Sequence, residues 1–154
     1  MNPLKNNIIP TVSEIEVSYR PAISNKPIIT SSLDAYTVLK DFISLNTIAL
    51  QEHFVVMYLN RANRVLGVYK LSNGGITGTV ADPRLILGIA LKIAATGIIL
   101  AHNHPSGNLK ASSADLELTK KIKTAASFMD IMVTDHIILS VNCEYFSFAD
   151  EGLI

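Results

Sequence analysis

The sequence holds a single cysteine, Cys143. No internal disulfide can form from it, and no cysteine cluster can hold a metal. A zinc deaminase built on Cys-x-x-Cys is excluded for the same reason. An excess of one charge is lacking as well: 13 Lys and Arg stand against 13 Asp and Glu. That balance is not the electrostatic footprint of a general nucleic-acid binder. A clean apolar run of about 18 residues, enough to span a bilayer, is missing too. The most apolar stretch, Leu85 to Ala101, is interrupted by Lys92, Thr96 and Gly97. Met1 to Arg20 carries polar residues and prolines where a signal peptide needs an apolar core. These absences point to a soluble, cytoplasmic protein with no membrane partner.

What is present is enough for one packed domain. Of 154 residues, 49% are hydrophobic and 17% charged. A chain of this size buries roughly two thirds of its unfolded surface. Pro3, Pro10, Pro21 and Pro27 punctuate the start, and Glu14 to Tyr19 alternates polar and apolar like an edge strand. Residues 1–30 therefore read as an arm packing on a domain of residues 31–154. Ser31 or Ser32 can cap a helix to about Ser44, with Ala35, Val38, Leu39, Phe42 and Ile43 on one face. His53 to Leu59 reads as a buried strand, Asn60 to Asn63 as a turn, and Arg64 to Leu71 as the hairpin partner. A short strand is expected at Thr77 to Val80.

Asp82-Pro83 starts the next helix, with Asp as cap and Pro at the first helical position. It is expected to run to about Thr96, to stop at a left-handed Gly97, and to be buried on nearly every face. Gly88 in its middle suggests close packing against another backbone. A strand at Ile98 to Ala101 leads into His102-Asn103-His104. A helix from Ser113 to Met129 follows, with Leu118, Ile122, Ala125 and Met129 inward. Strands at Ile131 to Ser140 and Glu144 to Phe148 complete the pattern. This order predicts an α/β fold, a mixed β-sheet flanked by helices.

The chemistry concentrates after the Ile98 strand. His102 and His104 are two apart, so in extended chain both imidazoles point to one side. Asp115 stands in the first turn of the next helix, within reach of a returning loop. Two nitrogens and one oxygen suit Zn²⁺ with a fourth position left for water. Ser112 and Asp115 also have the spacing of a helix capping box. A zinc-activated water needs a proton acceptor, and Glu52, at the mouth of a buried strand, is one candidate among the acidic residues. Asp135 and His136 sit inside an apolar strand, where polar groups need partners. Alternation sends them to opposite faces, so at most one can support a metal-bound imidazole.

The string His102-x-His104, seven residues, Ser112-x-x-Asp115 resembles the JAMM motif of JAB/MPN metalloprotease domains. The stretch ILAHNHPSGNLKASSADLELTKKIK, the pair Asp135-His136 and the terminal FADEGLI resemble the bacterial RadC-like branch. The resemblance implies a cytidine-deaminase-like α/β sandwich. It implies one zinc held by His102, His104 and Asp115, with Ser112 stabilising an oxyanion. It identifies Glu52 with the family's general base and implies hydrolysis of a peptide or isopeptide bond in a protein or peptide substrate. These 154 residues leave no room for the N-terminal helical region, resembling a helix-hairpin-helix DNA-binding module, that many RadC-like proteins carry.

Two rival readings remain. One is a non-catalytic scaffold of the same fold, which needs no base at residue 52. The other is a DNA-repair-associated nucleic-acid-binding protein, for which Lys110, Lys120, Lys121 and Lys123 offer a modest basic patch. His102-Asn103-His104 is not the nuclease motif of similar letters, which spreads over a longer metal-binding unit. A cupin would be all-β.

Overall fold

The computed structural model describes residues 13, 15–21, 25–74 and 81–154. The strand expected at Thr77 to Val80 and much of the arm lie outside these residues. The chain forms α1 (Ser32–Leu39), a short 3-10 turn (Lys40–Phe42), β1 (His53–Leu59), β2 (Val65–Asn73), α2 (Pro83–Lys92), β3 (Gly97–Asn103), α3 (Ser113–Ser127), β4 (Met132–Leu139) and β5 (Tyr145–Ser147). The sheet order is β2-β1-β3-β4-β5. β3 and β4 pair in parallel across the α3 crossover, and the other pairs are antiparallel. This is a mixed α/β fold. Among the described residues, no helix is long and apolar enough to cross a membrane.

The sheet separates two apolar layers, and β1 feeds both. Val55, Met57 and Leu59 join Ala35 and Leu39 of α1, with Ile99 and Ala101 of β3. Phe54, Val56 and Tyr58 join Ile86 and Ala90 of α2 and Ile122 and Ala126 of α3. Period-2 alternation thus assigns each β3 residue to a face. Ile99, Ala101 and Asn103 turn toward α1; Ile98, Leu100 and His102 turn toward α2 and α3.

Local chemistry accounts for most boundaries. Ser31 and Asp34 form a reciprocal capping box at α1. The helix ends earlier than Ser44 because Ile43 turns extended and buries its side chain. In the β1–β2 turn, Asn60 Oδ1 accepts the amides of Ala62 and Arg64, and Asn63 takes φ +54°. Asn tolerates that left-handed geometry better than most residues.

Several further expectations are corrected. Residues 15–20 form no strand, and Ile15 and Val17 are exposed. That segment is held by Tyr19, whose hydroxyl donates to the Leu66 carbonyl at 2.9 Å. Strand-like pairing comes later, where Ile28 bridges Arg64. Helix α2 is amphipathic: Ile86, Leu87 and Ala90 are buried, but Leu85 and Leu91 are largely exposed. It also stops before Gly97. Ala94 takes the left-handed φ of +54°, its amide bonds Leu91 O, and the Ala95 amide reaches back to Ala90 O. This is a Schellman ending with alanine where glycine is usual. Burial of Ala95 offsets the cost, and Gly97 opens β3 instead. On α3 the inward residues are Thr119, Ile122 and Ala126, while Met129 is exposed.

Gly88 lies on the exposed side of α2, and a Cβ added there meets nothing within 4 Å. It is not a close-packing site. Gly88→Ala is therefore expected to stabilise the protein by about 1 kcal/mol, the propensity difference in a helix interior. Thermal or urea unfolding checks this; a loss of stability would mean that α2 packs more tightly at Gly88.

Candidate metal centre

β3 carries its ladder through His102, so the strand places that imidazole inside the core, 1% exposed. His104 follows two residues on. The chain then loops to Ser112, which caps α3. The Ser112 hydroxyl accepts the Asp115 amide, and Asp115 Oδ2 accepts both the Ser112 amide at 2.7 Å and its hydroxyl at 2.6 Å. The capping box thus turns the Asp115 carboxylate back toward the end of β3.

The three side chains meet. His102 Nε2 and His104 Nε2 are 2.9 Å apart. Asp115 Oδ1 lies 3.2 Å from His102 Nε2, and Oδ2 lies 3.5 Å from His104 Nε2. One ligand atom from each residue falls within a 4.8 Å cluster, which could hold a metal ion. Donors around a tetrahedral ion with bonds of 2.0–2.1 Å stand about 3.3 Å from one another. The His102–His104 spacing and the approach of one Asp115 oxygen to each ring lie near that value.

Hydrogen bonding also decides which nitrogens are free. The Asn108 carbonyl accepts from His104 Nδ1 at 2.6 Å, so Nδ1 carries the proton and Nε2 keeps its lone pair. For His102 the chain is longer. Thr119 Oγ1 donates its one proton to the Asp115 carbonyl at 2.6 Å. It must then accept from His136 Nδ1, 2.7 Å away. His136 Nε2 is left as an acceptor for His102 Nδ1–H at 2.8 Å. His102 Nε2 therefore also keeps its lone pair. His136 is fully buried, which pushes its pKa well below the usual histidine value and keeps the ring neutral.

The electrostatics agree with a site made for a cation. Burial works to raise the Asp115 carboxyl, but its close contacts with the imidazoles of His102 and His104 outweigh it and hold the group well below the carboxylate range. His104 is raised, first by the Asp115 carboxylate beside it, against the cost of burial. The Glu52 carboxylate contributes to the same rise, so its charge is felt at the cluster. Glu52 is half-buried just before β1, and its carbonyl accepts from the Gly74 amide at 2.7 Å.

Asp135 takes no part in the cluster. It faces the other layer and accepts from the Ser147 hydroxyl at 2.7 Å and the Ala149 amide at 3.0 Å. It ties the segment after β5 to the sheet. Of the strand pair, only His136 reaches an imidazole of the cluster. Thr119 escaped sequence reasoning, although it stands one helical turn after Asp115 and shares its face.

A mixed five-stranded sheet whose central strand runs into His-x-His, against a Ser-capped helix carrying Asp, defines a JAB-type α/β domain. The family model of the RadC-like JAB domain matches residues 29–153. The chain belongs to that family. It is 46% identical over 125 residues to a UPF0758 protein of Flavobacterium johnsoniae, covering 81% of this chain and 53% of that one. A UPF0758 protein of Porphyromonas gingivalis is 38% identical over 157 residues, covering 100% of this chain and 67% of that one. One of Streptococcus agalactiae is 44% identical over 102 residues, covering 66% and 45%. The chain thus spans about half to two thirds of the length of these curated relatives.

Two outcomes test the centre. Wild type is expected to take up a metal ion and a His102→Ala/His104→Ala double variant to lose it, read by elemental analysis after dialysis. Thr119→Val removes the hydroxyl that fixes the His136 tautomer and is expected to weaken metal binding by about tenfold or more. Thr119→Ser, which keeps the hydroxyl, should retain wild-type affinity in the same competition titration.

Proposed function

We propose that this protein is a zinc-dependent metallohydrolase of the JAMM type, cleaving a peptide or isopeptide bond. The observation that carries the reading is the convergence of two imidazole lone pairs and one carboxylate within 4.8 Å of one another. Two nitrogens and a hard oxygen suit zinc, one per chain. Bound there, zinc would polarise the scissile carbonyl and acidify a water.

The chain's own residues do the rest. His102, His104 and Asp115 are the ligands, and His136 with Thr119 holds His102 in its donor tautomer. Glu52 accepts the proton of the attacking water and delivers it to the leaving amine as the C–N bond breaks. Ser112 gives its only hydroxyl proton to Asp115. To stabilise an oxyanion, that hydroxyl rotates toward the substrate and Asp115 keeps the Ser112 amide bond. Residues 31–154 form the hydrolase domain in this reading, and residues 1–30 the arm upon it. The lysines of α3 are a solvated face, since Lys120, Lys121 and Lys123 are all exposed.

Glu52→Gln separates a hydrolase from a scaffold of the same fold. It is expected to keep the metal and to lower kcat by about 100-fold or more on a peptide or isopeptide library substrate. Equal turnover by the two proteins would remove Glu52 from the reaction. An absence of turnover by the zinc-loaded wild type across the library would favour the scaffold.

A further inference from the structure

We infer that Asn103 is a positioning residue that sets where Glu52 stands relative to the two histidines. The inference rests on the reading of Glu52 as general base. Asn103 lies between His102 and His104 in sequence but on the opposite face of β3, and it is fully buried. A primary amide there has one acceptor and two donor hydrogens to satisfy. Asn103 spends all three on the segment that carries Glu52. Its Oδ1 accepts the His53 amide at 2.7 Å. Its Nδ2 donates to the carbonyls of Gln51 at 3.0 Å and Ile48 at 2.8 Å. The residues on both sides of Glu52 are therefore bonded to one side chain.

The place of this bonding explains its purpose. The β1–β3 ladder runs out at the pair Phe54 and His102. Beyond it, the backbone of β3 no longer holds the segment before β1, and the Asn103 amide continues the connection. The same planar group is one residue from each imidazole. Part of the offset between the carboxylate and the histidines thus passes through one rigid amide. A second brace acts on His53, whose Nδ1 meets Asn73 Oδ1 and whose Nε2 meets Thr47 Oγ1, each at 2.8 Å. Aspartate cannot replace asparagine: it would offer no donor to Ile48 and Gln51 and would set a buried charge against two carbonyls.

The test uses the whole chain loaded with cobalt(II), whose visible spectrum reports the site without a known substrate. Three readouts are taken on wild type, Asn103→Ala, Glu52→Gln and the double variant: cobalt affinity, hydrogen exchange of the His53 amide, and the pH midpoint of the cobalt spectrum. A carboxylate near the ion raises that midpoint, so Glu52→Gln lowers it. Asn103→Ala is expected to leave cobalt affinity within about twofold, since its side chain faces away from the ligands. It should speed exchange at His53 by about tenfold with Val56 in β1 still protected. It should lower the midpoint in the same direction as Glu52→Gln, and the double variant should add nothing further. Should Asn103→Ala fail to fold, Asn103→Ser, which keeps an acceptor but not both donors, replaces it. A midpoint that moves in Glu52→Gln but stays at the wild-type value in the Asn103 variant overturns the inference alone. A midpoint unmoved in Glu52→Gln overturns the base assignment, and this inference with it.

Discussion

Two imidazole nitrogens, both bearing lone pairs, stand 2.9 Å apart at the end of a buried strand, and much of the architecture serves to keep them there. Left alone, each ring would turn or change tautomer to give its neighbour a proton. The Asn108 carbonyl prevents that at His104, and the Thr119–His136 chain prevents it at His102. Asp115 then stands where a proton or a metal ion must relieve the crowding of lone pairs. Neutrality of His136 is part of the same constraint. A charged ring there would have two donors and would turn a proton toward His102 Nδ1, which already carries one.

β3 carries this design because it is buried on both faces and paired on both edges. Its antiparallel neighbour β1 delivers Glu52, and its parallel neighbour β4 delivers His136. The α3 crossover that parallel pairing requires delivers Asp115 and Thr119. One face of the strand thus supports the donor cluster, while the other, through Asn103, holds the segment that carries the carboxylate. The capping box of α3 joins helix start and ligand in one device: the Asp115 oxygen that satisfies the Ser112 amide also meets His104.

The five strands of the sheet and the donor triad were legible because their signals are local. His53 to Leu59 declares itself by composition, and the structure keeps both ends. His102 and His104 follow from period-2 spacing, and Ser112 to Asp115 from helix geometry. Where the reading failed, the answer lay in tertiary context. The apolar residues of α2 surround its axis, so the sequence did not mark which of them would meet the sheet. Ala94 rather than Gly97 ends that helix because Ala95 finds a buried place, which no propensity scale contains. Asn103 lay in plain sight, and the alternation that aimed the histidines also aimed it the other way. Its partners, two carbonyls and an amide of the segment before β1, are not a sequence motif.

The scattering of these parts along the chain has a bearing on assembly. Glu52 stands before the first strand of the sheet, His102 in the middle strand with His104 just past its end, Asp115 and Thr119 on the crossover, and His136 in the fourth strand. Loop-closure entropy delays contacts of such long separation during folding. As the polypeptide leaves the ribosome, His102 and His104 emerge well ahead of His136, so the early chain offers imidazoles of unfixed tautomer. Only docking of β4 beside β3 turns them into a matched pair of donors. An ion bound there would meet donors of fixed tautomer only once β4 lies beside β3, so the cluster is a property of the finished fold.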